Sequence, residues 1–166
     1  MPFNLKPTLV SKLLFLRALK LEDFDALYAV ASDALIWEQT PYKNRCQQEH
    51  FQQWFDVAIK ESALLLIDNK TDAVIGSSRY YDIDEANREV AIGYTFIARD
   101  HWGGVTNKEL KTLMLSYAFQ SFETVWLHIA EDNLRSRKAA EKIGAALSHK
   151  GKKKGLPYCW YQLKRT

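Results

Sequence analysis

Residues 92–107 read Ile-Gly-Tyr-Thr-Phe-Ile-Ala-Arg-Asp-His-Trp-Gly-Gly-Val-Thr-Asn, and the rest of the chain is interpreted around this stretch. Its first part, ending at Ile97, has the composition of a β-strand. Apolar residues at helical spacing then predict an amphipathic helix over about 107–122. Thr106 and Glu109 have the spacing of a capping box, which predicts where that helix begins. The stretch is therefore expected to form a strand, a loop and a helix.

The loop contains two adjacent glycines, Gly103 and Gly104, shortly before the predicted helix. Glycine lets the backbone approach a ligand closely, and the free N–H groups at a helix N-terminus favour a phosphate. A phosphate-binding loop and a simple strand-to-helix turn that needs two small residues both agree with this pattern. A second pattern joins Asn133, a suitable N-cap, to Ser136 in the first turn of another predicted helix.

The elements on either side alternate in a regular way. Their order is β-α-α-β-β-β-α-β-α-β-β, which is typical of a mixed three-layer α/β domain, here a single domain over residues 1–166. The strands are predicted at 13–16, 63–68, 74–81, 88–97, 125–130, 146–149 and 157–164, and the helices from Leu21, over 51–59, over 107–122 and from Asn133 to Gly144.

The composition excludes several classes of protein. A chain of 166 residues with 47% hydrophobic and 13% aromatic residues is long and apolar enough to bury a core, which excludes a disordered chain. The net charge of +3 is too small to indicate a nucleic-acid binder by itself. Four lysines lie between Lys150 and Lys154. Such a run is more commonly a solvated turn than a nucleic-acid contact.

Two cysteines, Cys46 and Cys159, are expected to be reduced thiols in a cytoplasmic protein. No metal site is expected, because the histidines lack the i, i+4 spacing of a helical metal site. The N-terminal residues lack the layout of a signal peptide, and no apolar run is long enough to span a membrane.

Together these patterns resemble the GNAT acetyltransferase superfamily, and within it the branch that contains the ribosomal-protein N-terminal acetyltransferases. The resemblance covers nearly the whole chain and is most specific over 92–145, where it is carried by Trp102-Gly103, Asn107-x-Glu109-x-Lys111, Asn133-x-x-Ser136 and Ile143-Gly144-Ala145. It implies a GNAT-like fold with a central, mostly antiparallel, splayed sheet. The loop departs from the family's usual Gln/Arg-x-x-Gly-x-Gly/Ala pattern, since alignment on Gly103 puts Trp102, Val105 and Asn107 at its defining positions.

The resemblance implies transfer of an acetyl group from acetyl-coenzyme A to a primary amine of a protein N-terminus or a small molecule. The amine would attack directly in a ternary complex, without a covalent enzyme intermediate and without a metal. Ser136 would protonate the departing thiolate as a general acid. The cofactor-binding residues implied by the family are Phe96 and Ile97 along the pantetheine arm, Trp102, Gly103, Gly104, Val105, Thr106 and Asn107 around the pyrophosphate, and Asn133 and Ser136 beside the pantetheine.

A carboxylate is the usual general base for such a reaction, and Glu89 at the start of the central strand is the candidate here. A solvated glutamate at the end of a strand is an equally good interpretation, and the adjoining loop offers Asp82, Asp84 and Glu85 instead. The acceptor amine would lie among side chains from the first two helices and the middle strand, for which the candidates are Trp37, Tyr42, Arg79 and Tyr81.

Two other functions agree with the same residues. A GNAT-like module that binds acyl-coenzyme A, or regulates without catalysis, is the first, and the altered loop favours it. A nucleic-acid-binding domain that uses the lysine-rich turn is the second. Pairing of two copies through an exposed sheet edge or the C-terminal strands is also consistent with the family.

Overall fold

An eight-stranded sheet forms the centre of the structure, and the computed structural model describes residues 2–166 of the chain. The strands are β1 (Leu9–Val10), β2 (Leu14–Ala18), β3 (Leu64–Asp68), β4 (Val74–Asp84), β5 (Glu89–Ile97), β6 (Thr124–Ala130), β7 (Ala146–Lys153) and β8 (Leu156–Lys164). The α-helices are α1 (Phe24–Ala31), α2 (Ala34–Trp37), α3 (Gln48–Lys60), α4 (Thr106–Ala118) and α5 (Leu134–Lys142). The spatial order of the strands is β1-β2-β3-β4-β5-β6-β8-β7.

Helices cover both faces of this sheet and complete three layers. Leu64, Leu65 and Leu66 of β3 are fully buried, because the pleat turns Leu65 to one face and its two neighbours to the other. Leu65 packs with apolar residues of α1, α2 and α3, such as Leu27, Trp37 and Phe51. Leu64 and Leu66 belong to the opposite cluster, which includes residues of α4 and α5 such as Leu110 and Ala140. The predicted mixed three-layer α/β fold is confirmed.

The sheet is antiparallel except at its centre, where β5 and β6 are parallel. These two strands pair only through Glu89–Ala91 and Thr124–Trp126 and then separate. On its other edge, β6 pairs along its whole length with β8. Tyr94 of β5 has φ +53°, and the pairing between β4 and β5 shifts in register beside it. An irregularity of this kind bends a strand, so the sheet opens at this point.

The start of α4 differs from the prediction of a capping box. Val105 is the N-cap and makes no side-chain capping bond. Glu109 reaches another element: its Oε2 accepts hydrogen bonds from Ser11 Oγ at 2.6 Å and from the Leu13 N–H at 2.8 Å. The sequence spacing was compatible with a local cap, but the fold brings the β1–β2 loop within reach of the same carboxylate. Glu109 therefore ties this loop to α4.

The C-terminal hairpin is longer than predicted. Strand β7 runs through the lysine-rich segment to Lys153, and the turn is confined to Lys154 and Gly155, which both have positive φ. The expected loop at 82–87 is also shorter, because β4 continues to Asp84. The helix end at Gly144 is confirmed, since α5 ends at Lys142 and Gly144 has φ +92°. Of the helices in residues 2–166, none has the length and apolar character needed to cross a membrane.

We expect Glu109→Ala to lower the free energy of unfolding by about 1–3 kcal/mol, because Ser11 Oγ and the Leu13 N–H lose a charged acceptor. For a domain of this size the melting temperature then falls by about 2–4 °C per kcal/mol, which calorimetry resolves. Glu141→Ala, an exposed change on α5, is the matched control. An equal, small effect of both substitutions would show that other contacts hold the β1–β2 loop.

Candidate active site

A cavity of about 300 Å³ occupies the opening between β5 and β6. One end is bounded by the loop that precedes α4 and by the N-terminal part of α5. The other end is bounded by the segment that joins α2 to α3 and by the β7–β8 hairpin. Side chains and backbone of β5 and β6 form the walls between the two ends, and the lining includes Gly93, Tyr94, Thr95, Phe96, Ile97, Leu127, His128, Ile129 and Ala130.

Unpaired backbone N–H groups lie at the first end of the cavity. The first hydrogen bond of α4 runs from the Glu109 N–H to the Val105 carbonyl, at 2.9 Å. The N–H groups at the start of the helix before Glu109 therefore have no partner within it. Gly103 has φ +73°, a conformation that side-chain-bearing residues rarely adopt, and a Cβ at Gly103 or Gly104 would meet nothing within 4 Å. The helix dipole and open loop together suit an anionic phosphate.

Trp102 holds this end of the cavity in place. Its Nε1–H donates a 2.8 Å hydrogen bond to the carbonyl of Ile97. The guanidinium of Arg135 lies 3.9 Å from the centre of the indole ring, a cation–π contact. The Arg135 N–H also donates to Gln39 Oε1 at 3.0 Å. These contacts connect the end of β5, the first turn of α5 and the segment after α2.

Asn133 and Ser136 are arranged as the sequence predicts for an N-cap. Asn133 Oδ1 accepts a hydrogen bond from the Ser136 N–H at 3.3 Å, and α5 begins at Leu134. The cap also fixes the first turn of α5 at the end of β6. Both residues line the cavity. Ser136 therefore places a hydroxyl-bearing side chain beside the opening between β5 and β6.

Lys111 is a buried cation in the wall of the cavity. Its side chain comes from α4, only 8% of the residue is exposed, and its Nζ donates to Thr95 Oγ1 at 3.1 Å. No carboxylate of the described residues forms an ion pair with it. Burial lowers the pKa of Lys111 from 10.5 to about 8. The protein therefore keeps a weakly compensated positive charge here.

Phenol rings and cations lie together at the other end of the cavity. Tyr81 Oη and Lys153 Nζ are 3.0 Å and 3.3 Å from the Nδ1 atom of His128. Burial, with the nearby Lys153 charge, lowers the pKa of His128 to about 4, so the imidazole is neutral at neutral pH. Tyr42 Oη lies 3.4 Å from Tyr158 Oη. Burial and the neighbouring Tyr42 raise the pKa of Tyr158, which stays a neutral phenol.

Most of the residues predicted for the site come together around this cavity. Those that line it are Trp37, Tyr42, Tyr81, Phe96, Ile97, Trp102, Gly103, Gly104, Asn107, Asn133 and Ser136. Val105 and Thr106 belong to the same loop and helix start but do not line the cavity: Val105 is 63% exposed, and Thr106 is buried. Their contribution to a ligand would come from the backbone.

Glu89 and Arg79 lie elsewhere, which corrects the expectation that they face the site. Glu89 is at the closed end of the β5–β6 pair, where its Oε2 accepts a hydrogen bond from Trp126 Nε1 at 3.1 Å. Arg79 stacks on Tyr94, with its guanidinium 3.7 Å from the ring centre, and does not line the cavity. The cavity forms only where β5 and β6 have separated, so a residue at the start of β5 cannot reach it.

Several cavity residues were not predicted from the sequence. They are Thr40, Arg45, Lys111, His128, Arg135, Lys153 and Tyr158. Strand alternation would have placed His128 and Ala130 on one face of β6, a signal that was present but not used. Lys153 had no such signal, because it lies in a run of lysines that is typical of a solvated turn.

A family model described as "Acetyltransferase (GNAT) domain" matches residues 14–146. The chain belongs to the GNAT acetyltransferase family. It is an acetyl-CoA-dependent acetyltransferase, as the predicted fold and family implied. The cavity described above lies within the matched range except for the residues supplied by the β7–β8 hairpin.

Known proteins similar to this acetyltransferase agree with that assignment. A protein of Bacillus licheniformis named "Uncharacterized N-acetyltransferase p20" is 32% identical over 120 residues, which cover 69% of this chain and 67% of that protein. A GCN5-related N-acetyltransferase from Brucella melitensis has the same fold, with a TM-score of 0.87, 21% identity and coverage of 98% and 80% of the two chains. Spermidine N-acetyltransferase from Vibrio cholerae, solved with CoA and spermine, gives a TM-score of 0.68 at 18% identity, covering 93% and 96%.

We expect Lys111→Met to stabilise the acetyltransferase at pH 7. A pKa of about 8 in place of 10.5 means that charging Lys111 costs about 3 kcal/mol more in the folded protein than in the unfolded chain. This cost is fully present below pH 8 and disappears as the pH rises toward 10.5, since the folded protein loses the proton first. The gain from the substitution should therefore shrink over that range in denaturant melts.

Lys108→Met, an exposed change on the same helix, is the control for Lys111→Met. It removes the same charge from the chain without removing a buried cation. A stability difference between wild type and Lys111→Met that does not change between pH 7 and pH 10 would contradict the assignment of an unpaired buried charge.

Proposed function

We propose that acetyl-CoA binds in the opening between β5 and β6, and that a primary amine enters from the side of Tyr42 and Tyr158. The N-terminus of α4 takes the pyrophosphate, and the pantetheine arm follows the separated part of β5 past Phe96 and Ile97. The thioester then lies between Ser136 on one side and the acceptor on the other. The acceptor is a small molecule or a protein N-terminus.

The observation that supports this most is the coincidence of three features at one opening. The helix N-terminus supplies unpaired N–H groups, the loop at Gly103 and Gly104 leaves open space, and Ser136 lies on the next helix along the same cavity. The altered glycine pattern of the loop does not close this space. A pyrophosphate needs such a row of donors, and an acyl transfer needs a proton donor near the sulfur.

The proposed reaction moves one proton from nitrogen to sulfur overall. The amine nitrogen attacks the thioester carbonyl carbon, the C–N bond forms, and the C–S bond of coenzyme A breaks. The nitrogen loses a proton, and the thiolate takes one from the Ser136 hydroxyl, which regains it through water. The products are the acetylated amine and free coenzyme A, in a ternary complex without an acetyl-enzyme.

A side-chain carboxylate is not needed as the base under this proposal. Glu89 does not reach the cavity, and the cations Arg45, Lys111 and Lys153 line it. Positive charges disfavour a further ammonium group and so lower the pKa of a bound amine. The amine therefore binds and reacts in its neutral form, and its nitrogen gives up a proton to water as the C–N bond forms.

Ser136→Ala should reduce kcat by about 10²-fold or more, because the thiolate would leave without its proton donor. The affinity for coenzyme A, measured by calorimetric titration, should change little, since the N–H groups of α4 remain. Ser121→Ala, an exposed change after α4, is the control. Unchanged turnover in Ser136→Ala would remove Ser136 from the mechanism.

The same experiment tests the alternative of a non-catalytic acyl-CoA-binding module. Such a module would bind coenzyme A equally well with either residue at position 136 and would acetylate no amine in either form. If the wild-type protein does not bind coenzyme A, the proposed cofactor site is contradicted.

A further inference from the structure

The cavity wall carries several positively charged side chains. Its lining residues include Arg45, Lys111, Arg135, Lys153 and Lys154. None of the lining residues found in 2–166 is an aspartate or a glutamate. An amine acceptor brings a positive charge of its own unless it is deprotonated. A cavity of this composition therefore opposes a polycation and attracts an anion.

The cations divide between the two ends of the cavity. Arg135 stacks on Trp102 at the end assigned to the cofactor, and Lys111 contacts Thr95 in the wall between the two ends. Arg45 and Lys153 lie at the acceptor end. The Arg45 guanidinium is 3.8 Å from the ring centre of Tyr42. Lys153 Nζ is within 4.9–5.8 Å of the ring centres of Tyr81, Tyr94 and Tyr158.

The two cations at the acceptor end have no counter-ion in the part of the chain that the structure describes. Neither Arg45 nor Lys153 takes part in a salt bridge there. Lys153 donates toward His128, which is neutral, and Asp82 attracts it from outside the cavity without forming an ion pair. Burial is the main cause that lowers the pKa of both cations. Contacts with phenol rings compensate only part of that cost.

A third cation adds to the same positive field. Arg79 is 4% exposed and stacks on the ring of Tyr94, and the Nε and Nη1 atoms of its guanidinium have no hydrogen-bond partner among residues 2–166. Its charge lowers the pKa of Arg45 and of Lys153 further. Arg79 and Lys153 thus both lie against Tyr94, and Glu61 and Asp82 attract them without forming an ion pair with either. An anion bound in the cavity would offset the remaining cost of burying these charges.

We infer that the acceptor amine carries an oxyanion, a carboxylate or a phosphate, and that Arg45 and Lys153 bind it. This inference rests on the proposed acetyl-transfer function and defines its substrate class. The oxyanion would pair with the two cations while the amine faces the thioester. Polyamines and other polycationic amines are poor acceptors by the same argument.

Matched pairs of amines test this inference. The release of the coenzyme A thiol measures how fast each amine is acetylated. Each proteinogenic amino acid is compared with its amide, which lacks the carboxylate, and phosphoethanolamine is compared with ethanolamine; spermidine is the polycation. The wild type should prefer an anionic member over its neutral partner by about tenfold or more in kcat/KM. A preference for amino acids over their amides indicates a carboxylate, and a preference for phosphoethanolamine over ethanolamine indicates a phosphate.

Lys153→Met and Arg45→Gln should each remove most of that preference, about tenfold, and leave the dissociation constant of coenzyme A unchanged. Lys152→Met is the matched control, because Lys152 is exposed on the same strand and does not line the cavity. Retained coenzyme A affinity shows that each variant is folded. A preference that survives both substitutions would contradict the role of these cations.

Other outcomes separate this inference from the proposed function. Acetylation of spermidine or of a neutral amine in preference to its anionic partner overturns the inference and leaves the acetyltransferase intact. Binding of acetyl-CoA without acetylation of any anionic amine in the panel overturns it too. A protein that binds no coenzyme A overturns the proposed cofactor site, whatever the acceptor is.

Discussion

The separation of β5 from β6 is the constraint on which the rest of the structure depends. A parallel pair at the centre of a sheet would ordinarily continue, but here it ends after Ala91. The backbone of Tyr94 has φ +53°, which is unfavourable for a tyrosine, and its ring is held between Tyr81 and the Arg79 guanidinium. Strand β6 pairs with β8 along its other edge, so the backbone groups of β6 that face β5 beyond Trp126 have no strand partner among residues 2–166 and border the opening.

A few residues near the bend in β5 make this opening possible. A Cβ at Gly93 would lie 3.0 Å from the Tyr81 ring, so glycine lets Tyr81 lie against the strand just before the bend. On the other face, Tyr80 donates its hydroxyl to the Met114 carbonyl at 2.7 Å and anchors β4 to α4. The open centre is therefore held by packing on both faces of the sheet.

The sequence predicted the elements that depend on local pattern and missed those that depend on distant contacts. Periodicity placed α3 and α4, and Asn133 was predicted as the cap of α5, because these signals lie within a few residues of each other. The partner of Glu109 could not be predicted, since Ser11 is 98 residues away in sequence. Glu89 was misplaced because alternation gives the face of a strand but does not show where two strands separate.

The positions of the charges in the lysine-rich segment also could not be predicted from local pattern. Four lysines in a short run suggest a solvated turn, and Lys152 is indeed exposed. Extension of β7 to Lys153 turns that one side chain toward Tyr81, Tyr94 and Tyr158. Charge at a site therefore depends on the length of a hairpin, which composition does not determine.

Hydrogen exchange of the protein with and without coenzyme A tests the central claim most directly. If the coenzyme occupies the opening between β5 and β6, amides at 94–98, 103–108 and 133–136 should exchange more slowly when it is bound. Amides of β1, β2 and α1 should be unaffected, because they lie away from the cavity. Protection elsewhere, or binding without protection at 103–108, would contradict the account.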